Sequence, residues 1–300
     1  MVNYVTLSNG LKLPQVGLGT YPLKGEQLVA ALDNAIIANY QLIDTAIGYG
    51  NHLDIGIAIR KGIISSSDLV STKIDAYTLK NMALPNPLKR LAGRGEFSIL
   101  INDRIIRKAI RRCFDELNKV DIMLLHAPFK GCLKVYDAIA KEYEEKKIKA
   151  FGVSNFDINE LKLLYKERGT YPMINQTEIS PYNSQKELIE FCKENGIIIE
   201  AYSPFGRGKL VSEFMHHSVL TEISSRYNKT VGQIILRWIV QQGLVVIARS
   251  SNKERLLDNI SIFDFELTNK DMGAIDNMNK NMVLGANQIN KKSLSKFYYL

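Results

Sequence analysis

KAFGVSNFDINELKLLYKERGTYPMINQT, residues 149–177, decides the fold. It opens on a short apolar run, KAFGVS (149–154), and closes on another, MINQT (173–177). Between them, FDINELKLLYKERG places apolar residues three and four apart, the period of a helix with one buried face. Strand, helix, strand in that order is the unit of a parallel sheet, because the chain must cross back over the sheet before the next strand starts.

The same alternation extends in both directions. Apolar runs recur at QVGLG (15–19), QLIDT (41–45), LVSTK (69–73), DIMLLH (121–126), IIIEAY (197–202) and LVVIAR (244–249). Segments of helical period lie between them, among them GEQLVAALDNAIIANY, NDRIIRKAIRRCFDELN and TVGQIILRWIVQQG. Eight such runs make a closed (β/α)8 TIM barrel the leading architecture, as one domain over residues 1–300. An open doubly wound sheet is the rival. VTLSNGLKLPQVGLG adds an N-terminal β-hairpin, with SNG as its turn. Two segments break the rhythm and are expected as extensions at the C-terminal face. Residues 76–101 form a connection long enough to be functional or mobile. Residues 281–300 form a tail ending in Phe297, Tyr298 and Tyr299, either frayed or a flap over the barrel mouth.

Composition narrows the function classes. The 39 basic residues exceed the 31 acidic ones, which suits an anionic ligand and argues only weakly for nucleic acid. Arg104, Arg107, Lys108, Arg111 and Arg112 recur at helical spacing and are expected as the solvated outer face of a barrel helix. Cys113, Cys132 and Cys192 are odd in number, far apart and without a CxxC, as expected of reduced thiols. No HExxH occurs, and the adjacent pair His216-His217 suits a surface loop better than a metal ion. The N-terminus lacks the pattern of a signal peptide, and no apolar stretch approaches the roughly 18 residues of a spanning helix. A soluble cytoplasmic protein with no membrane and no nucleic-acid partner is expected.

In a barrel of this type chemistry gathers where the strands end. The expected strands end at Asp44, Lys73, His126, Ser154-Asn155, Gln176, Tyr202 and Arg249. LIDTAIGYGNH (42–52) adds Tyr49 in a glycine-flanked turn just past Asp44. A carboxylate, a lysine, a tyrosine and a histidine converging on one mouth can protonate an oxygen that gains negative charge. The lysine would stabilise the phenolate and lower the tyrosine pKa, the carboxylate would hold the lysine, and the histidine would orient the substrate oxygen. Carbonyl reduction is such a reaction, and its hydride must come from a cofactor. None of the four GxG triplets continues to GxGxxG, so no Rossmann fingerprint is present. RSSNKERLLDN (249–259) offers another anion site, a capped helix start flanked by Arg249 and Arg255.

These motifs together resemble the aldo-keto reductases over nearly the whole chain. LIDTAIGYGN, STK, LLHAP, FGVSNF, NQTE, AYSPFG and RSSNKERLLDNISIFDFEL appear in the family's order. The resemblance implies a small-molecule carbonyl substrate and NADPH rather than NADH, in a monomer or weak homo-oligomer. It implies Tyr49 as proton donor, Lys73 and Asp44 as the pair that tunes it, and His126 as the residue that orients the carbonyl. Ser154, Asn155 and Gln176 would hold the nicotinamide carboxamide, and Tyr202 would stack on its ring. Ser203 and Phe205 would follow the pyrophosphate. Arg249, Ser250 and Arg255 would bind the 2′-phosphate, and Asp258 and Asn259 the adenine. The chain departs from the pattern at Ala248-Arg249 (usually Pro-Lys), at His52 (usually acidic), and at Tyr21 and Ala127, where tryptophans are common. The lone Trp238 falls in a helical pattern and is expected in the core. A polar loop and missing tryptophans point to a polar substrate. The alternative is a low-turnover NADPH-binding redox sensor or regulatory protein on the same fold, against which the intact set of four residues argues.

Overall fold

Strand β10 (Val245–Ala248) pairs in parallel with β3 (Val16–Gly19), and that pairing closes a ring. Between them run β4 (Leu42–Asp44), β5 (Leu69–Ile74), β6 (Ile122–Leu125), β7 (Ala150–Ser154), β8 (Ile174–Glu178) and β9 (Ile198–Tyr202), each beside its sequence neighbour. The computed structural model, which describes residues 2–83 and 102–284, is therefore a closed (β/α)8 barrel and not an open sheet. Strands β1 (Tyr4–Thr6) and β2 (Lys12–Pro14) form the expected antiparallel hairpin.

The barrel closes because its strands are apolar on both faces. Leu42, Leu69, Ile122, Leu124, Ile174, Val245 and Ile247 form one cluster with Leu7 and Leu13 of the hairpin segment. Ile43, Val70, Met123, Val153, Ile199 and Val246 belong to a second, larger cluster shared with the helices. Adjacent residues thus serve opposite faces, as the strand period of two requires. Continuing the first set, to which Ala150 belongs and against which Ile198 packs, by two residues at a time gives Asp44, Lys73, His126, Ser154, Gln176, Glu200 and Tyr202. The inward face changes from apolar to polar toward one end. Close strand approach adds its own constraint: a Cβ on Gly152 would lie 2.3 Å from the Ile174 carbonyl oxygen.

The helices follow their local signals. Asp157 caps Ile158–Arg168 in a reciprocal capping box with Glu160, and Gly169 ends it. Thr230 and Gln233 do the same for Val231–Gln241, which carries Trp238. Trp238 is fully buried, and its Nε1 donates to Asp276 at 2.8 Å. In Asp103–Leu117, Ile106, Ala109, Ile110 and Cys113 face the core while Arg104, Arg107, Lys108, Arg111 and Arg112 are exposed. The basic run is the outer face of a barrel helix, with Arg112 donating to Glu116.

One departure concerns the long connection. Its first residues form a helix, Ala76–Ala83, whose start is capped by Asp75 accepting from the Thr78 backbone N–H at 2.7 Å. Residues 84–101 and 285–300 lie outside the described residues, and with them most of the two expected extensions. Helices Lys209–Met215, Ser218–Tyr227 and Asn269–Asp276 were also not expected. His216 and His217 link the first two of these. The three cysteines are buried and unpaired. Among the described residues no helix is long and apolar enough to cross a membrane, and no His, Cys, Asp or Glu group could hold a metal.

Candidate active site

Lys73 is the centre of the site. Its side chain is fully buried, and Nζ donates to both Asp44 oxygens at 2.6 Å and to the Thr45 carbonyl at 2.8 Å. All three ammonium hydrogens are used, which is the condition for a lysine in so dry a place. Tyr49 reaches this pair from a single 3-10 turn, Ile47–Tyr49, that starts three residues after the last residue of β4. Gly50 ends the turn with φ of 66°, a left-handed conformation suited to glycine. The turn brings the Tyr49 ring to 5.5 Å from Lys73 Nζ. The His126 ring stands 5.9 Å from the Tyr49 ring, edge to face, and the Tyr21 ring 5.0 Å from it.

Burial sets the protonation states. It would pull the Lys73 ammonium down, but Asp44, with Tyr49 and Glu200, outweighs it, and Lys73 stays charged. For Tyr49 the net direction is up: burial raises it, and Lys73 pulls it down without cancelling that effect. The expectation that Lys73 lowers the tyrosine pKa is therefore corrected. The pull exists, and burial exceeds it. Burial first and Lys73 second push His126 down to about 3. Its Nδ1 is buried without a partner, so a proton there would have no acceptor, and the neutral ring carries its hydrogen best on Nε2. His52 is likewise pushed down to about 3, by burial, Arg112 and Lys73, and its Nε2 lies 2.9 Å from Thr72 Oγ1. Both rings should remain neutral at about pH 5, where a free histidine is charged. Nitrogen NMR of the imidazoles checks this, and an imidazolium signal from either residue at that pH would contradict the burial argument.

A second group of side chains adjoins the first. Asn155 Nδ2 donates to the His126 carbonyl and to Ser154 Oγ, both at 3.0 Å. The Tyr202 hydroxyl donates to Asn155 Oδ1 at 2.7 Å. Gln176 Nε2 donates to Asp44 Oδ1 at 2.9 Å and to Glu200 Oε2 at 2.7 Å. Asn155 and Ser203, which follow β7 and β9, hold φ of 63° and 53°. Two left-handed non-glycine residues beside one cleft are strained positions of the kind that functional sites keep. Phe205 packs against the core, and Arg207 donates from Nε to Ser203 Oγ at 3.1 Å with its guanidinium 5.7 Å from the Tyr202 ring.

The remaining sequence-selected residues lie on a separate patch after β10. Arg249 is exposed, and Ser250 is buried with its Oγ accepting from the Asn252 N–H. Asn252 caps Lys253–Ile260 by accepting from the Arg255 N–H at 2.9 Å. Arg255 is exposed and Asp258 half-buried, while Asn259 is buried beside the Tyr40 hydroxyl. Sequence reasoning passed over Glu200, which is fully buried, and Glu178, which accepts from the Leu284 N–H. Strand parity was the available signal, because both share the inward face with Gln176 and Tyr202.

Comparison with known proteins agrees with this geometry. Residues 15–280 match the pattern of the Aldo/keto reductase family. The chain is 38% identical over 291 residues to the uncharacterized oxidoreductase YtbE of Bacillus subtilis, covering 93% of this chain and 94% of that one. It is 35% identical to a glyoxal reductase of the same organism, covering 94% and 95%. An aldo-keto reductase of Bombyx mori, solved in complex with NADP, superposes with a TM-score of 0.80 at 27% identity, covering 96% of each chain. Barrel, strand-end side chains and near full-length matches agree, and the chain belongs to the aldo/keto reductase family of oxidoreductases.

Proposed function

We propose that the protein reduces an aldehyde or ketone to the alcohol, with NADPH as reductant and Tyr49 as proton donor. The observation that carries this reading is the fully buried Lys73, bonded to Asp44 and lying 5.5 Å from the Tyr49 ring, with neutral His126 5.9 Å from the same ring. Tyr49 keeps its proton at neutral pH, as a donor must. When it gives the proton to the carbonyl oxygen, the Lys73 ammonium stabilises the phenolate left behind. His126 Nε2–H can donate to the same oxygen and orient it.

The donor set fits a nicotinamide carboxamide. The Gln176 nitrogen is committed to two carboxylates, which leaves its oxygen to accept. The Ser154 hydroxyl can donate, and Tyr202 offers a ring held in place through Asn155. The hydride is what NADPH supplies when bound; binding, orientation and the proton fall to the chain. Arg249 and Arg255, beside a capped helix start, would hold the 2′-phosphate, with Ser250 next to them and Asp258 and Asn259 toward the adenine. Ser203 and Phe205 would line the pyrophosphate.

The test is NADPH oxidation across aldehydes, ketones and sugar-like carbonyls. Because one relative is named for glyoxal reduction, small dicarbonyls head the panel. Turnover of any of them supports the reading. NADPH binding with no turnover anywhere would favour a cofactor-sensing role instead. Replacing Arg249 and Arg255 together by alanine should weaken NADPH binding about tenfold or more, since each charge-assisted bond contributes a kcal/mol or more, and should leave NADH binding nearly unchanged. Equal losses for the two cofactors would remove the 2′-phosphate assignment.

A further inference from the structure

Among the described residues, Glu200 forms no ion pair of its own. Both Asp44 oxygens are taken by Lys73, whose third hydrogen goes to Thr45. The Glu200 side chain is fully buried on the inward face of β9. Its Oε2 accepts one hydrogen from Gln176 at 2.7 Å, and its Oε1 is buried without a partner. The other Gln176 amide hydrogen goes to Asp44 at 2.9 Å. One neutral amide thus joins two carboxyl groups above a single lysine. An ionised carboxylate with one neutral donor is costly at this depth, and a carboxylic acid is much less so.

We infer that Glu200 is a positioning residue of this site: through the Gln176 amide it shares with Asp44 it fixes that amide, and it carries a proton of its own that sets the net charge around Lys73. What the fixed amide faces rests on the reading under Proposed function. The proton does not. β8 presents Gln176 beside Glu200, β10 presents the apolar Val245 at its register position, and Asp44 and Lys73 act on it from across the barrel. Burial and then Asp44 push its carboxyl up to about 7, against the Gln176 bond and Lys73. When Glu200 ionises it favours the charged form of Lys73. When it is protonated, Lys73 and Asp44 remain as a bonded ion pair whose two charges cancel.

Thermal unfolding of the ligand-free protein tests the proton. A carboxyl whose pKa is higher folded than unfolded binds its proton in the folded state. Its stabilisation is present below the unfolded value and is lost as pH rises through the folded one. Glu200→Gln resembles the protonated form and does not titrate. Between about pH 5 and about pH 8 the variant should gain roughly 2–5 °C in Tm relative to wild type. His52 and His126 titrate in the opposite sense in both proteins, so only the difference at each pH is compared. A difference that stays constant across the range would overturn the proton assignment. Glu200→Leu tests positioning, because it leaves a Gln176 hydrogen without an acceptor. NADPH affinity by fluorescence titration should fall about tenfold in Glu200→Leu, the scale of one buried bond left unmade. Glu200→Gln, whose amide oxygen accepts the same bond, should restore it. Wild-type affinity in Glu200→Leu would overturn the positioning role. Absence of reductase activity altogether would count against the proposed function while leaving the Tm comparison to stand or fall separately.

Discussion

Tyr49→Phe should lower the turnover of a reducible carbonyl by about two to four orders of magnitude, the usual contribution of one positioned acid. NADPH affinity should stay within a factor of about two, less than one hydrogen bond's worth. The substitution removes one oxygen and little else. Phenylalanine keeps the ring that packs edge to face with His126 and against Tyr21, so the cleft retains its shape. It also leaves Lys73 with the same three acceptors, because none of them is Tyr49. The fold should therefore be unaffected, and circular dichroism melts should overlay. Stopped-flow traces with saturating NADPH isolate the chemical step from product release. A variant as fast as wild type in that step would show that another group delivers the proton. Neutral His126 has a hydrogen on Nε2 and would be the next candidate, to be tested by His126→Phe.

The barrel could be read from the chain because strands buried on both faces appear as apolar runs, and the helices between them keep a three-four period. The observed strands begin and end within a residue or so of the runs, as with Ile198–Tyr202 inside IIIEAY. Asp44, Lys73 and His126 were legible because an ionisable residue at the end of a strand-like run stands out. Glu200 was not, because it lies within its run, where only inward parity with Tyr202 and register with Gln176 expose its position. Ala76–Ala83 was hidden for another reason. AYTLKNMA is short and has a weak apolar stripe, and its one clear signal is the Asp75 cap. The Tyr49 protonation state was out of reach altogether. The sign depends on whether burial or Lys73 prevails, and burial is a property of the assembled barrel.

Lys73→Met should destabilise the fold by about 3–5 kcal/mol near neutral pH, the loss expected when one partner of a buried ion pair is removed. The variant leaves the Asp44 carboxylate almost fully buried, with the Gln176 amide as its remaining side-chain donor. Glu200, joined to the same amide, adds repulsion whenever it is ionised. Urea unfolding monitored by fluorescence gives the loss directly, and an unchanged midpoint would mean that Asp44 is protonated or hydrated in the variant at little cost. Adding Asp44→Asn removes the stranded charge. The double variant should therefore recover much of the stability, since replacing both members of a buried pair by neutral groups is often close to neutral. Activity should behave otherwise. Neither the single nor the double variant keeps the Lys73 ammonium beside the Tyr49 ring, so both should be as inactive as Tyr49→Phe. A stable but inactive double variant would separate the two roles of the pair. It would mean that Asp44 keeps a charged Lys73 inside the barrel, where the fold alone does not require one, for its effect on Tyr49.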